Sequence, residues 1–263
     1  MENVHAYIFY SNILILMSTM LLSSIIIAGL ITLSSAPVIP DSTLTDSLIV
    51  EEVTAPVDPH NHGTIQRLTE EDFTQAAEQL GIDVATIKAV ISIEAGAGHQ
   101  GFHAPGKPII NFDLAMFRRA ASKRGINLNK YKKSHKIVFN RANTKKYGSY
   151  QAAQHERLRS AMTIDSIAAI DGTFWGMFQI GGFNWKKCGA KSRGEFVERM
   201  SDSEHEQLEL FVNFIKTNGM DKYLKKKDWA GFARCYNGPS YARRGYHTRL
   251  AKAYKKYKKQ SAR

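Results

Sequence analysis

The sequence predicts a mainly α-helical domain standing behind an N-terminal transmembrane helix and a linker. Three observations carry this reading. Residues 6–33 contain no charged side chain. Residues 37–66 are acidic and proline-bearing, without helical periodicity. From Leu68 onward, apolar residues recur at helical spacing between capping residues, and neither a long alternating strand pattern nor an internal repeat occurs.

The first segment, AYIFYSNILILMSTMLLSSIIIAGLITL, would form a helix of about 42 Å at about 1.5 Å per residue, longer than the roughly 30 Å hydrocarbon core of a bilayer. A secretory signal has a basic start and a shorter apolar core. Here Glu2 is the only charge before the run. The expectation is therefore an uncleaved single-pass anchor in the inner (cytoplasmic) membrane, spanning residues 1–36 with its flanks. Ser34-Ser35-Ala36 would suit a signal peptidase, so secretion after cleavage near Ala36 is the alternative. Neither flank carries a base, so charge does not set the orientation. A signal that later releases the chain would be more weakly apolar than SSIIIAGLITL.

The linker, residues 37–66, holds Pro37, Pro40, Pro56 and Pro59 with five acids, and has little to bury. His60 and His62 within it are expected to be solvated rather than metal-bound. Residues 67–263 carry all 36 Lys and Arg but only 18 of the 24 acids, a net of +18 against +12 for the whole chain. Such a field favours anionic partners: wall polymers, lipid headgroups or nucleic acid. Cys188 and Cys235 are too few for a disulfide framework and fit either one bridge or two free thiols.

The folded part opens with Thr69 and Asp72 placed as a capping box. Phe73, Ala76, Ala77 and Leu80 lie on one face, and Gly81 is the stop. Asp83 then caps a second helix. Val84, Ile87, Ile91 and Glu94 follow at steps of three and four, so a carboxylate continues an apolar stripe. Further helical patterns cover residues 114–123, 150–170, 195–200, 203–217, 229–235 and 246–257. The last of these runs into a basic tail, residues 258–263.

KAVISIEAGAG, residues 88–98, admits two readings. Gly96, Gly98 and Gly101 have the spacing of a dinucleotide-binding loop, but Pro105, Gly106 and Pro108 oppose the helix that such a loop must start. Alternatively, Glu94 is an acid buried at a helix C-terminus. Burial and the helix dipole both favour its neutral form, which a general acid requires. Two later motifs accompany it. TFWGMFQIGGFNW, residues 173–185, supplies Trp175, Phe178 and Gln179 for a sugar groove or, for the aromatics, a core. CYNGPSY, residues 235–241, is a turn presenting Tyr236, Asn237 and Tyr241. No zinc pair, Walker loop or Gly-x-Ser-x-Gly elbow is present. His155-Glu156 and His205-Glu206 are expected to be exposed on helices.

A glutamate ending a helix, a G-x-x-Q-I segment and a Tyr-Asn-Gly-Pro turn, in that order, resemble the lysozyme-like superfamily of goose-type lysozymes and lytic transglycosylases. Within it the chain is most similar to the N-acetylmuramidase family of phage endolysins and bacterial wall hydrolases. The likeness runs through LTEEDFTQAAEQLGIDVATIKAV, PIINFDLAMF, WGMFQIGGFN and DWAGFARCYNGPSYARRGYHTRLAKAY, and covers a domain at 67–257. It implies a glycoside hydrolase cleaving the β-1,4 bond between N-acetylmuramic acid and N-acetylglucosamine in peptidoglycan glycan strands, without cofactor or metal. Glu94 takes the general-acid position. Trp175, Gln179, Tyr236 and Asn237 would line the groove, with Phe178 and Tyr241, from the same two motifs, as further candidates. The chain departs from the family pattern at Ala95, where Ser is usual, at Asp113, where Glu is usual, and at Ala115, where His is common. Hydrolysis normally uses a second carboxylate, for which Asp113 and Asp171 are the candidates. Without one, the same Glu94 would serve a lytic transglycosylase forming 1,6-anhydro products, and a catalytically inactive wall-binding module is a further alternative. Nucleic-acid binding through the basic tail is disfavoured, because such tails commonly only solvate. The implied location is the inner membrane, with the domain facing the periplasm.

Overall fold

The computed structural model describes residues 64–95, 100–140 and 147–261. The predicted membrane span, nearly all of the linker, and Gly96 and Gly98 lie outside these. Among the described residues no helix is long and apolar enough to cross a membrane.

The chain folds from its caps inward. Helix α1 (Glu70–Leu80) carries the predicted capping box, Thr69 and Asp72 each satisfying the other's backbone N–H, and ends on Gly81 in the left-handed region at φ 64°. Asp83 caps α2 (Val84–Glu94) by accepting from Thr86 N. A short ladder of β1 (Phe102–Ala104) and β2 (Lys107–Pro108) follows. A strand turn therefore stands where a nucleotide loop would need a helix. Strand β3 (Ile110–Phe112) leads into α3 (Leu114–Lys123), and α4 (Lys136–Phe139) precedes α5 (Tyr147–Met162) and α6 (Ser166–Asp171). Strands β4 (Thr173–Trp175) and β5 (Ile180–Gly181) complete an antiparallel sheet in the order β3-β4-β5. After a 3-10 segment, Gly182–Cys188, come α7 (Arg193–Asp202), α8 (Glu204–Thr217), α9 (Asp221–Lys225), α10 (Trp229–Asn237) and α11 (Tyr246–Gln260).

One apolar core joins these helices, with Phe117, Phe196, Phe211 and Phe232 fully enclosed together with Ile87, Ile91 and Leu208. Helix α5 covers the free edge of β3: Gln151 Oε1 accepts from Ile110 N and Gln154 Oε1 from Phe112 N, both at 3.0 Å. That arrangement satisfies edge donors that would otherwise be buried unpaired. Glu204, buried at the start of α8, accepts from Leu68 N at 3.1 Å, Gly101 N at 3.0 Å and Arg67 Nη1 at 2.8 Å. One carboxylate thus fixes both the segment before α1 and the start of the ladder.

The packing that matters most for the site is α2 against α11. The two run antiparallel. Asp83, before α2, receives the Tyr254 hydroxyl at 3.1 Å and faces Lys258 at 3.6 Å, while Glu94, at the other end of α2, faces Arg249.

Two expectations need correction. The pattern over 150–170 is not one helix. It breaks at Asp165, whose carboxylate caps α6 through Ala168 N at 2.7 Å and pairs with Arg124. Nor is His155 exposed: its Nε2 lies 2.8 Å from Pro108 O, and burial lowers its pKa. Cys188 is buried and Cys235 exposed, and both are free thiols.

Candidate active site

Glu94 closes α2 and is 2% exposed. Its Oε1 accepts a hydrogen bond from Asn237 Nδ2 at 3.2 Å. Its Oε2 is buried and has no hydrogen-bond partner among the described residues. Burial raises its pKa to about 7, against the opposing pull of the Asn237 hydrogen bond and the Arg249 charge. The carboxyl is therefore about half protonated at neutrality, and the two groups that favour the anion are the Asn237 amide and Arg249.

Asn237 is positioned by α10. Asp228 caps that helix through Gly231 N at 2.8 Å, Phe232 and Ala233 root it in the core, and Gly238 turns the chain away at φ 73°. The preceding Tyr236 lies parallel to Phe232 and edge-on to Phe211. Its hydroxyl donates to Phe178 O at 3.0 Å, which ties the Tyr-Asn-Gly-Pro turn to the glycine-aromatic segment. Burial, and secondarily the charge of Glu94, push this phenol well above its ordinary pKa, so it remains a donor.

The glycine-aromatic segment differs from its expected role at two positions. Trp175 and Phe178 were expected to line a groove; both are core. Trp175 is 3% exposed, directs its indole N–H to Ile170 O at 3.3 Å and meets Phe196 edge-on. Phe178 is 1% exposed and stacks on Phe211 at 4.0 Å. For Trp175 the cause is strand alternation: β4 turns Thr173 and Trp175 inward and leaves Phe174 half-exposed. The exposed aromatic of this segment is Phe183, edge-on to Phe174.

Gln179 ends the hairpin loop between β4 and β5, at φ 48°. A non-glycine residue there is strained by about 1–2 kcal/mol. Its Nε2 donates to Gly176 O at 2.9 Å, while its buried Oε1 lacks a partner among the described residues. Strain together with an unused acceptor sets Gln179 apart from the rest of the hairpin. Tyr241 is half-buried; its hydroxyl accepts from Arg234 at 3.4 Å, and its ring meets His247 edge-on.

The two acids expected as second carboxylates each hold contacts of their own. Asp113 caps α3 by accepting from Met116 N at 2.9 Å. Asp171 receives both Nε and Nη2 of Arg193, at 2.8 and 2.9 Å, in a bidentate fork. Neither contact involves Glu94. Sequence reading also missed Arg249, whose charge bears on Glu94, and Tyr246, whose ring Arg249 overlies at 5.3 Å. The available signal was the start of α11: with Tyr246 and Leu250 buried, Arg249 lies beside the buried stripe. Among the described residues no group of three His, Cys, Asp or Glu is placed to hold a metal ion.

A family model described as Muramidase, N-acetylmuramidase, matches residues 83–258. Among solved structures, the chain is similar to the Burkholderia AP3 phage endolysin, at 35% identity over 74% of this chain and 73% of that one, with a TM-score of 0.63. No curated protein sequence gives a match.

Proposed function

The chain belongs to the N-acetylmuramidase family, and on that premise we propose that it cleaves peptidoglycan at the β-1,4 bond between N-acetylmuramic acid and N-acetylglucosamine, with Glu94 as general acid. The observation that carries this reading is Glu94 itself: buried, with a pKa near 7 and one oxygen unpartnered. In the reaction the Glu94 proton passes to the departing 4-oxygen of N-acetylglucosamine as the C1–O bond breaks. The new carboxylate is then held by Asn237 and faced by Arg249. Water adds to C1 of N-acetylmuramic acid and returns a proton to Glu94, so the acid is regenerated. Gln179 Oε1 is suited to accept from an acetamido N–H or a sugar hydroxyl, and Tyr241 to offer its ring to the strand.

The engagement of Asp113 and Asp171 favours a second reading, lytic transglycosylation. There the 6-hydroxyl of N-acetylmuramic acid attacks its own C1, its proton goes to Glu94, and a 1,6-anhydro ring closes without water. One experiment addresses both. Purified peptidoglycan is digested with wild type and with Glu94→Gln, and the released muropeptides are analysed by mass spectrometry. Reducing N-acetylmuramic acid ends support hydrolysis, and 1,6-anhydro ends the second reading. Equal product from Glu94→Gln would remove Glu94 as the acid.

We further propose that residues 6–33 hold the enzyme in the inner membrane with the domain on the periplasmic side. Membrane fractionation with external protease tests this: the domain should sediment with membranes and be cleaved only from the periplasmic face. Recovery of a chain beginning after Ala36 in the soluble fraction would contradict it.

A further inference from the structure

Around the start of α11 the chain gathers Arg243, Arg244 and Arg249. Arg249 faces Glu94. Arg244 and Arg243 precede α11, whose N-terminal end disfavours nearby cations. Burial, and then repulsion from Arg243, lower the pKa of Arg244.

Two atoms of this cluster are buried without a hydrogen-bond partner among the described residues: Arg244 Nη1 and His247 Nδ1. They belong to residues three apart, across the start of α11. Tyr241 closes one side by meeting the His247 ring edge-on at 5.5 Å, and the Tyr246 ring carries Arg249 on its face. Buried polar nitrogens are nearly always paired, and a guanidinium cannot relieve the cost by losing its proton. An arrangement of this kind is completed by an anion with two acceptor oxygens. Carboxylate fits the planar guanidinium fork.

The reading under Proposed function supplies the source, and this inference rests on it. Sugar rings of the strand are neutral; the carboxylates lie on the 3-O-lactyl group of N-acetylmuramic acid or on the peptide attached to that group. We propose that Arg244 and His247 form a subsite for a carboxylate carried by N-acetylmuramic acid. The carboxylate accepts from Arg244 Nη1 and, with the ring protonated at Nδ1, from His247. This contact sets the strand's register over Glu94, since only alternate sugars bear the charge.

The test compares apparent KM for the detergent-solubilised full chain on three preparations. These are intact sacculi, strands stripped of peptide by an amidase, and stripped strands whose lactyl carboxylate is capped as a neutral methylamide. Arg244→Gln should raise the ratio of KM on charged to KM on capped strands about tenfold, the scale of one charge-assisted hydrogen bond. His247→Gln should move the ratio in the same direction, and Arg244→Lys should recover part of the loss. An effect confined to intact sacculi assigns the peptide carboxylate, and one confined to stripped strands the lactyl group; either supports the subsite. A wild-type ratio in Arg244→Gln, with thermal unfolding also at wild type, overturns it. Glu94→Gln, run alongside, separates the two readings. If it abolishes cleavage while the Arg244 ratio stays flat, the subsite alone fails. A wild type inactive on every preparation overturns both.

Discussion

At the scale of a single residue, Glu94 illustrates how one environment can store a proton and then tolerate its loss. Its folded pKa, about 7, stands above the unfolded value. The folded state therefore binds the proton more tightly, and Glu94 contributes stability that is fully present below about pH 4.5 and lost as pH rises through about 7. Glu94→Gln should consequently be more stable than wild type above neutrality, by on the order of 3 kcal/mol, with the gap closing in acid. Thermal melts at pH 4 and pH 8 check this. The same variant should lose about 10²–10⁴-fold in turnover. Asn237 works in the opposite direction, because its hydrogen bond favours the charged form. Asn237→Ala should therefore move the basic limb of the pH–rate profile upward. A limb that stays put would show that the amide does not tune the acid. Glu94 was legible in sequence because the apolar stripe and the helix end both name it. Arg249 was not, since a cation beside a helix start reads the same whether solvated or turned toward an acid several helices away in sequence.

At the scale of elements, the caps were the most legible feature. Thr69, Gly81 and Asp83 act as their sequence positions imply, because a cap is a contact between near neighbours. The glycine-aromatic segment was misread for the converse reason. Whether Trp175 or Phe174 faces inward depends on the pairing of β4 with β3, some sixty residues away, and in that register Trp175 is the buried one. Strands of two and three residues are too short to show alternation. The same segment contains the tightest backbone approach near the site: a Cβ at Gly182 would stand 2.0 Å from Ile170 O. Gly182→Ala should destabilise the domain by about 3 kcal/mol and lower the midpoint of urea unfolding. A midpoint within error of wild type would mean that the Gly182–Cys188 segment shifts freely.

At the scale of the whole molecule, the charge division has a functional sense. The folded domain and its tail carry the entire basic excess, and the preceding 66 residues carry acid only. Retention on sacculi should therefore weaken steeply between about 50 and 500 mM salt, as exposed charges are screened, and a pelleting assay reads this directly. The fold brings α2 against two consecutive, sequence-distant helices around one carboxyl: α2 carries Glu94, α10 the amide hydrogen-bonded to it, and α11 the facing cation. The claim on which this account rests is that burial keeps a substantial share of the enclosed carboxyl protonated at neutral pH. Selective ¹³C labelling of glutamate and NMR titration of the Glu94 carboxyl carbon measure that proton. The account predicts a midpoint near pH 7, and a midpoint in the ordinary carboxylate range near 4.5 would contradict it.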